Sequence, residues 1–549
     1  MRSPLARRCA GLTALFVLVL VLIVGCADPP PAAPGDEPDS LPARGGTAVL
    51  GSITDVDSWN EYLSRQSFAH FLLRRLYLRL ATESGDGFDR PDRYEPMLAE
   101  SWERSADGRS ITFRLRQATW SDGQPIGAGD VVFTWQAQTS EHVPWTNAAS
   151  KQRIRDVVAL DDRTVRFDFD GEYPYQLADA VEGGILPRHV FGRVPFEDWA
   201  THDWSQEPVG SGPFLLERHQ PGHEIVLRRN PRYFDETGPL LDRVVVRIVP
   251  DVVNLLAQLK AGDIDLLMGV PPRDAHRLSS ADPATVAVVS FDTPSFEYLG
   301  WNCARPPFDD PLLRRAMTLA IDRRALVEDL AYDYADVGVV PVPSRWWGAA
   351  EGLEPWPYDP EQARRILRER GFATVGADGR SQGDGPVLEL TLLTNAGNQL
   401  RQDSLVKIQE QLSRIGVKAH VRSLEQRALI QQASRGDFDV YLGGWSFVGQ
   451  VPLDTLFGSD HVPPAGSNVV RYVNAQVDAD LARLRQVDDW QEMKPLLDEI
   501  QRRIHEDQPY TLLFERDGLA AHGPRLRGVT IDVPADPLAR LERFWIARG

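Results

Sequence analysis

Leu388-Glu-Leu-Thr-Leu-Leu393 is an apolar run of strand length. The segment Asp403-Ser-Leu-Val-Lys-Ile-Gln-Glu-Gln-Leu-Ser-Arg-Ile-Gly416 after it carries Leu405, Ile408, Leu412 and Ile415 at helical spacing and stops on a glycine. Val417-Lys-Ala-His-Val421 and Phe438-Asp-Val-Tyr-Leu442 then return to strand. Strand, helix, strand in this order predicts a βαβ unit, hence a parallel sheet inside an α/β lobe.

Upstream, Asp359-Pro-Glu361 opens a helix with Ala363, Ile366 and Leu367 inward and Gly371 as its stop. Asp310-Pro311 opens another, buried through Leu312, Leu313, Ala316, Leu319 and Ala320; proline suits a first helical position, where its missing N–H has no partner to lose. Asp251 caps a helix with Val252, Leu255, Leu256 and Leu259 on one face and Gly262 at its end, and Ile264 to Leu267 follow as a strand. Gly46 to Ser52 read as a first strand, Phe68 to Leu80 as a helix, Ile111 to Arg116 as a half-buried strand, and Asp130 as the cap of a helix from Val131. Gly210 to Val249 is strand-rich, and Tyr510 to Phe514 is a late strand.

The chain has 549 residues, too many for one compact core, which predicts two or three lobes. Its formal net charge of −18 argues against a nucleic-acid partner, which calls for a basic face to displace counterions.

Arg2, Arg7 and Arg8 precede a mostly apolar run, Gly11 to Gly25, that is shorter than the ~20 residues of a membrane span. It ends Ile23-Val-Gly-Cys26, which resembles a bacterial lipobox, so residues 1–25 read as a lipoprotein signal peptide and Cys26 as the lipidated new N-terminus. Residues 26–45, rich in proline, read as an extended tether. Cys9 leaves with the signal and Cys303 is then without a partner, so no internal disulfide is expected; Cys303 reads as a small buried hydrophobe.

Over residues 46 to 529 the chain resembles the extracytoplasmic solute-binding proteins of peptide- and nickel-type ABC importers. The resemblance rests on Leu98-Ala-Glu-Ser-Trp102 with Asp107-Gly108, Phe113-Arg-Leu-Arg116, Trp120-Ser-Asp-Gly-Gln-Pro125, Asp130-Val-Val-Phe133, Gly210-Ser-Gly-Pro-Phe214, Asn230-Pro-Arg-Tyr233, Pro307-Phe-Asp-Asp310 with Arg314, Ala316, Ala320, Ile321 and Asp322, Asp359-Pro-Glu361 and Gly443-Gly-Trp445. It implies an α/β, two-lobed periplasmic-binding-protein fold (type II) with an extra domain inserted in the first lobe. The division it implies is lobe I from 46–82, 181–294 and 508–549, the extra domain from 83–180, and lobe II from 295–507. Hinges are expected near Phe296–Gly300 and Pro509–Phe514.

The same resemblance implies capture of a small solute, peptide first, in an inter-lobe cleft and delivery to the transmembrane subunits of an ABC permease, by a monomer held outside the cytoplasm through its lipid. No nucleic acid, metal or cofactor is expected. Most of the shared motifs are structural: Ser121-Asp-Gly123 is a turn, Asp130, Asp310 and Asp359 are helix caps, and Arg314 and Arg315 read as a solvated helix face.

The loop Gly443 to Asp454 follows a strand end, where α/β folds bind ligands. Trp445, Ser446, Phe447, Val448 and Asp454 are therefore candidate ligand contacts, with Ser52, Ile53, Trp59, Tyr298 and Trp301 as further candidates near strand ends and hinges. Peptide-binding members often place an Asp three residues after this Trp to pair a ligand ammonium. Here that position is Val448, Val451 precedes Pro452, and Asp454 is the one nearby acid. This leaves room for an oligosaccharide or another non-peptide solute, and for a ligand-sensing lipoprotein.

A hydrolase is the rival of another class. The sequence holds no H-E-x-x-H, Walker loop, G-x-G-x-x-G or G-x-S-x-G. Ser211 between glycines reads as a tight turn, and Pro221-Gly222 separates His219 from His223, so that pair is not expected to bind a metal; no residue is nominated as catalytic.

Overall fold

The computed structural model describes residues 42–84, 93–205, 209–281, 285–447, 451–487, 489–533 and 536–547. The expected signal peptide, Cys26 and Val448 lie outside the described residues.

The stretch that opened the sequence reading folds as expected. Glu389–Asn395 pairs in parallel with Lys418–Leu424 and with Val440–Ser446, and the helix Gln399–Ser413 connects the first two. A second connecting helix, Gln426–Arg435, joins Lys418–Leu424 to Val440–Ser446. The Asp251, Asp310 and Asp359 side chains each accept from a backbone N–H in the first turn of their helix. Asp130 is not the N-cap residue itself but caps from the third helical position. The helix Ala128–Thr139 begins after Gly127, and the Asp130 carboxylate sits one turn in, accepting from Gly127 N (2.9 Å) and Arg188 N (2.9 Å).

Two sheets form the body. The seven-stranded one runs, in spatial order, Ala287–Phe291, Gly518–His522, Leu266–Met268, Thr47–Ser52, Arg243–Ile248, Glu224–Arg229 and Phe214–Gln220. The six-stranded one runs Ala335–Asp336, Tyr510–Arg516, Ser295–Trp301, Val440–Ser446, Glu389–Asn395 and Lys418–Leu424. Both faces of the second are covered, so its inner strands Ser295–Trp301 and Val440–Ser446 are buried along most of their length, while the edge strand Lys418–Leu424 stays largely exposed. Leu313, Ala316, Leu367, Leu405 and Ile408 from three helices pack on one face; Leu429, Val477, Leu481 and Ile500 pack on the other. A separate four-stranded antiparallel sheet, Ala99–Arg104, Ser110–Leu115, Thr164–Phe169 and Ile154–Asp161, shares one apolar cluster with the seven-stranded sheet, joining Phe113 and Phe167 to Leu50 and Val246. This is a two-lobed α/β fold with an extra domain on its first lobe.

The chain passes between the two sheets at residues 292–294, after Ala287–Phe291, and again at Asp517, after Tyr510–Arg516. The segments expected as hinges, Phe296–Gly300 and Pro509–Phe514, are paired with each other inside the six-stranded sheet, and the crossings lie a few residues outside them. Tyr510–Arg516, expected in lobe I, accordingly belongs to the lobe II sheet. Thr293 Oγ1 donates to Arg516 O (2.5 Å) and Ser290 Oγ to Asp517 Oδ2 (2.5 Å), so the two crossings are laced together.

Arg314 is also corrected. It is buried, with Nε donating to Asp507 O (2.9 Å) and Nη1 to Phe308 O (2.7 Å). A guanidinium can be buried without an acid when carbonyls take its protons.

Candidate ligand-binding cleft

The strand registers fix which ends of the two sheets meet. In lobe II, Ser295 is the first residue after a crossing and pairs with Ser446, so Val440–Ser446 ends at the crossing, and the parallel Glu389–Asn395 ends there too. In lobe I, Gly518 is the first residue after the other crossing; Ala520 pairs with Met268 and Leu267 lies beside Gly51 across parallel strands. Ser52 and Ile53 therefore stand at the crossing end of lobe I, and Asn395, Trp445 and Ser446 at the crossing end of lobe II. Carboxyl ends of parallel strands are where open α/β sheets bind ligands.

On the lobe II side, Trp445 is half-buried and its Nε1 donates to the Tyr510 hydroxyl (3.4 Å). Its ring lies parallel to Phe447 at 6.3 Å, and Phe447 also meets Phe296 (5.7 Å) and Trp346 (6.3 Å). Ser446 is exposed. The two glycines before Trp445 have a local cause. A Cβ on Gly444 would stand 2.5 Å from Arg401 Nη2 and 2.6 Å from Glu297 Oε2, and one on Gly443 would stand 2.8 Å from the Tyr441 ring. Glu297 is buried and bridges two guanidinium groups, Arg401 at 2.8 Å and Arg516 at 3.2 Å. Arg401 in turn donates to Asn395 Oδ1 (3.0 Å).

At the crossing itself, Thr293, Ser344, Arg345, Trp346, Glu515 and Arg516 line a shallow, open recess. Glu515 Oε2 accepts from Ser344 N (2.9 Å) and Oγ (2.8 Å), yet burial pushes its carboxyl up to about 7. Arg345 pairs with Asp292 at 3.0 Å.

On the lobe I side, Ser52 Oγ donates to Thr54 O (2.7 Å), turning the chain out of its strand, and Ile53 is 54% exposed. Trp59 is buried and donates from Nε1 to His219 Nδ1 (3.0 Å).

The remaining candidates are placed differently. Tyr298 is buried, its hydroxyl 2.6 Å from that of Tyr441, and it stacks at 3.9 Å on Tyr510, the residue that accepts from Trp445. Trp301 is fully buried, its Nε1 bonded to Thr511 Oγ1 (2.9 Å), six residues or ~20 Å along the strand from the crossing. The Asp454 carboxylate accepts from Thr455 N (2.8 Å) and lies 3.8 Å from Arg485, within lobe II. Glu297, Arg401 and Glu515 were missed by sequence reasoning, and only the Gly-Gly pair hinted that something crosses the strand there. Ser211 is buried and its hydroxyl accepts from Leu78 N (2.9 Å), which is the role of a turn and not of a nucleophile. Cys303 is pushed up to about 11 by burial, far from a reactive thiolate.

Two sheets joined by two crossings, with Ile53 and Ser446 exposed and Trp445 half-buried at their crossing ends, form the candidate cleft. The family model of the bacterial extracellular solute-binding proteins, family 5 Middle, matches residues 93–463. The chain belongs to this family. It is a family 5 chain 28% identical over 546 residues to the oligopeptide-binding protein AppA of Bacillus subtilis, covering 98% of each. It is 29% identical over 514 residues to the glutathione-binding protein GsiB of Salmonella typhimurium, covering 90% of this chain and 93% of that one. The structure of AppA in complex with a nonapeptide aligns with a TM-score of 0.73 at 29% identity over 92% of this chain and 100% of that one. The substrate-binding protein CtaP of Listeria monocytogenes, at 23% identity, shares the fold with a TM-score of 0.79 over 92% of this chain and 100% of that one.

Proposed function

We propose that this family 5 chain captures peptides between its lobes and delivers them to the membrane subunits of an ABC importer without altering them chemically. The observation that carries this is the pair of crossings at residues 292–294 and 517, with the strand ends at Ile53 and at Trp445–Phe447 each on the crossing side of its own sheet, which supports a shared gap between them. AppA, similar over nearly the whole chain, supports peptide as the solute.

Contacts are proposed from Ser52, Ile53, Trp59, Trp445, Ser446, Phe447 and Val448, with Asp454 toward the edge. Tyr298 supports Trp445 through Tyr510, and Trp301 is left out because of its depth. The extra domain is proposed at 83–180, lobe II at 295–516, and lobe I from the rest of the folded chain. The protein is proposed to act as a monomer, cleaved after residue 25, lipidated on Cys26 and held outside the cytoplasm by that lipid. Among the described residues no helix is long and apolar enough to cross a membrane.

The test is native mass spectrometry of the chain as purified, followed by thermal shift against a pool of peptides of two to nine residues. A retained peptide, or stabilisation by the pool with the peptides recovered intact, is the expected result. Retention of a sugar, or recovery of cleaved peptides, overturns the reading.

A further inference from the structure

The two histidines that the sequence showed four apart stand on opposite sides of a hairpin turn: His219 on the strand Phe214–Gln220, His223 exposed just before Glu224–Arg229. This turn lies at the crossing end of lobe I, since Glu224 pairs with Arg247, next to the last residue of the strand that runs beside Thr47–Ser52. His219 is 12% exposed and holds the loop after Ser52 at both of its nitrogens. Trp59 Nε1 donates to Nδ1 (3.0 Å), and Nε2 lies 2.9 Å from Asp55 Oδ1. Asp55 is otherwise filled by backbone donors, Val56 N on Oδ1 (2.7 Å) and Gly222 N on Oδ2 (2.7 Å).

An indole N–H only donates, so the Trp59 contact assigns the bare lone pair to Nδ1 and the proton to Nε2, where it is given to Asp55. His219 is therefore neutral in this arrangement. A second proton on Nδ1 would put two donors 3.0 Å apart while strengthening the bond to Asp55, so Trp59 is the partner that must leave. The charged groups of the same loop and of the neighbouring strands have their own partners. Asp57 accepts from Ser64 Oγ and Arg65 N, Arg218 pairs with Glu224, and Arg247 donates to Gln258. Among the described residues, Asp55 is the charged group bonded to His219.

We propose that His219 is a positioning residue of the cleft: as neutral imidazole it fixes the Trp59 loop as the lobe I wall, and its protonation releases that wall and weakens ligand capture. This rests on the solute-binding reading above, with the loop from Ser52 to Trp59 forming one side of the gap.

Two measurements on the full chain test it, each made at pH 8 and at pH 5.5. The first follows the ¹⁵N–¹H indole signal of Trp59, assigned among the 14 tryptophans by the Trp59→Phe variant. The second measures affinity for the pool of two- to nine-residue peptides. In the unaltered protein the indole signal should shift as pH falls and affinity should drop about tenfold. In His219→Gln the amide offers the same acceptor and donor but takes no proton, so neither quantity should change more than twofold with pH. An indole signal that does not move, or an affinity drop of the same size in His219→Gln, overturns the proposal. Should no peptide bind at either pH, the peptide reading fails on its own, and the indole signal still decides whether His219 releases Trp59.

Discussion

Glu297 is the most consequential single side chain at the cleft that the sequence did not announce. Buried between Arg401 and Arg516, it compensates two guanidinium groups at once, and its removal leaves Arg401, 16% exposed, without a carboxylate. Glu297→Ala should therefore lower unfolding stability by about 3 kcal/mol in urea titration, a value reduced from the fully buried case because Arg516 is 41% exposed. A loss under 1 kcal/mol would mean the pair contributes little. Glu515 gives a pH signature of its own. Its carboxyl is raised from 4.5 to about 7 by burial, so the folded state holds this proton more tightly than the unfolded one. The associated stability is fully present below about 4.5 and is lost as pH rises through about 7. The melting temperature should fall between pH 5 and pH 8, and Glu515→Gln should flatten that fall. Caps such as Asp251 and Asp359 were legible because capping is local. Arg314 was not, since its acceptors at Asp507 and Gln508 lie 193 and 194 residues away.

At the scale of elements, the βαβ unit was readable because Leu405, Ile408 and Leu412 repeat at helical spacing between apolar strands. The helix Gln426–Arg435 escaped because it buries only Leu429 and Ala433 and leaves Ile430 54% exposed, too thin a stripe to read. The helix Trp490–Asp507 escaped in part because Pro495 lies inside it. Elements at the cleft are held at their ends. Asn398 caps Gln399–Ser413, the helix that presents Arg401 to Glu297, through its side chain to Arg401 N (3.1 Å). Asn398→Ala should cost about 1 kcal/mol in the same titration, and Asn398→Ser much less.

At the scale of the molecule, the resemblance carried the two-lobed plan, while the crossings could be placed only once the registers were known; a strand that ends a lobe and one that lies inside it look alike in sequence. The gap proposed between the two strand ends makes a distance prediction. In an Ile53→Cys, Ser446→Cys double variant, a short bis-maleimide should join the two lobes faster in the presence of the peptide pool than without it, with Cys303 a weak competitor because its thiol is raised to about 11. An unchanged rate would argue against closure around peptides.

The seven-stranded sheet has one more implication, which concerns how the chain is made. Gly518–His522 lies between Ala287–Phe291 and Leu266–Met268, so a strand far downstream fills an interior slot among strands synthesised much earlier. Until that tail arrives, both neighbours keep open edges with unpaired amides, an invitation to aggregate. A chain stopped before residue 518 would therefore leave this sheet unfinished and open to rapid proteolysis.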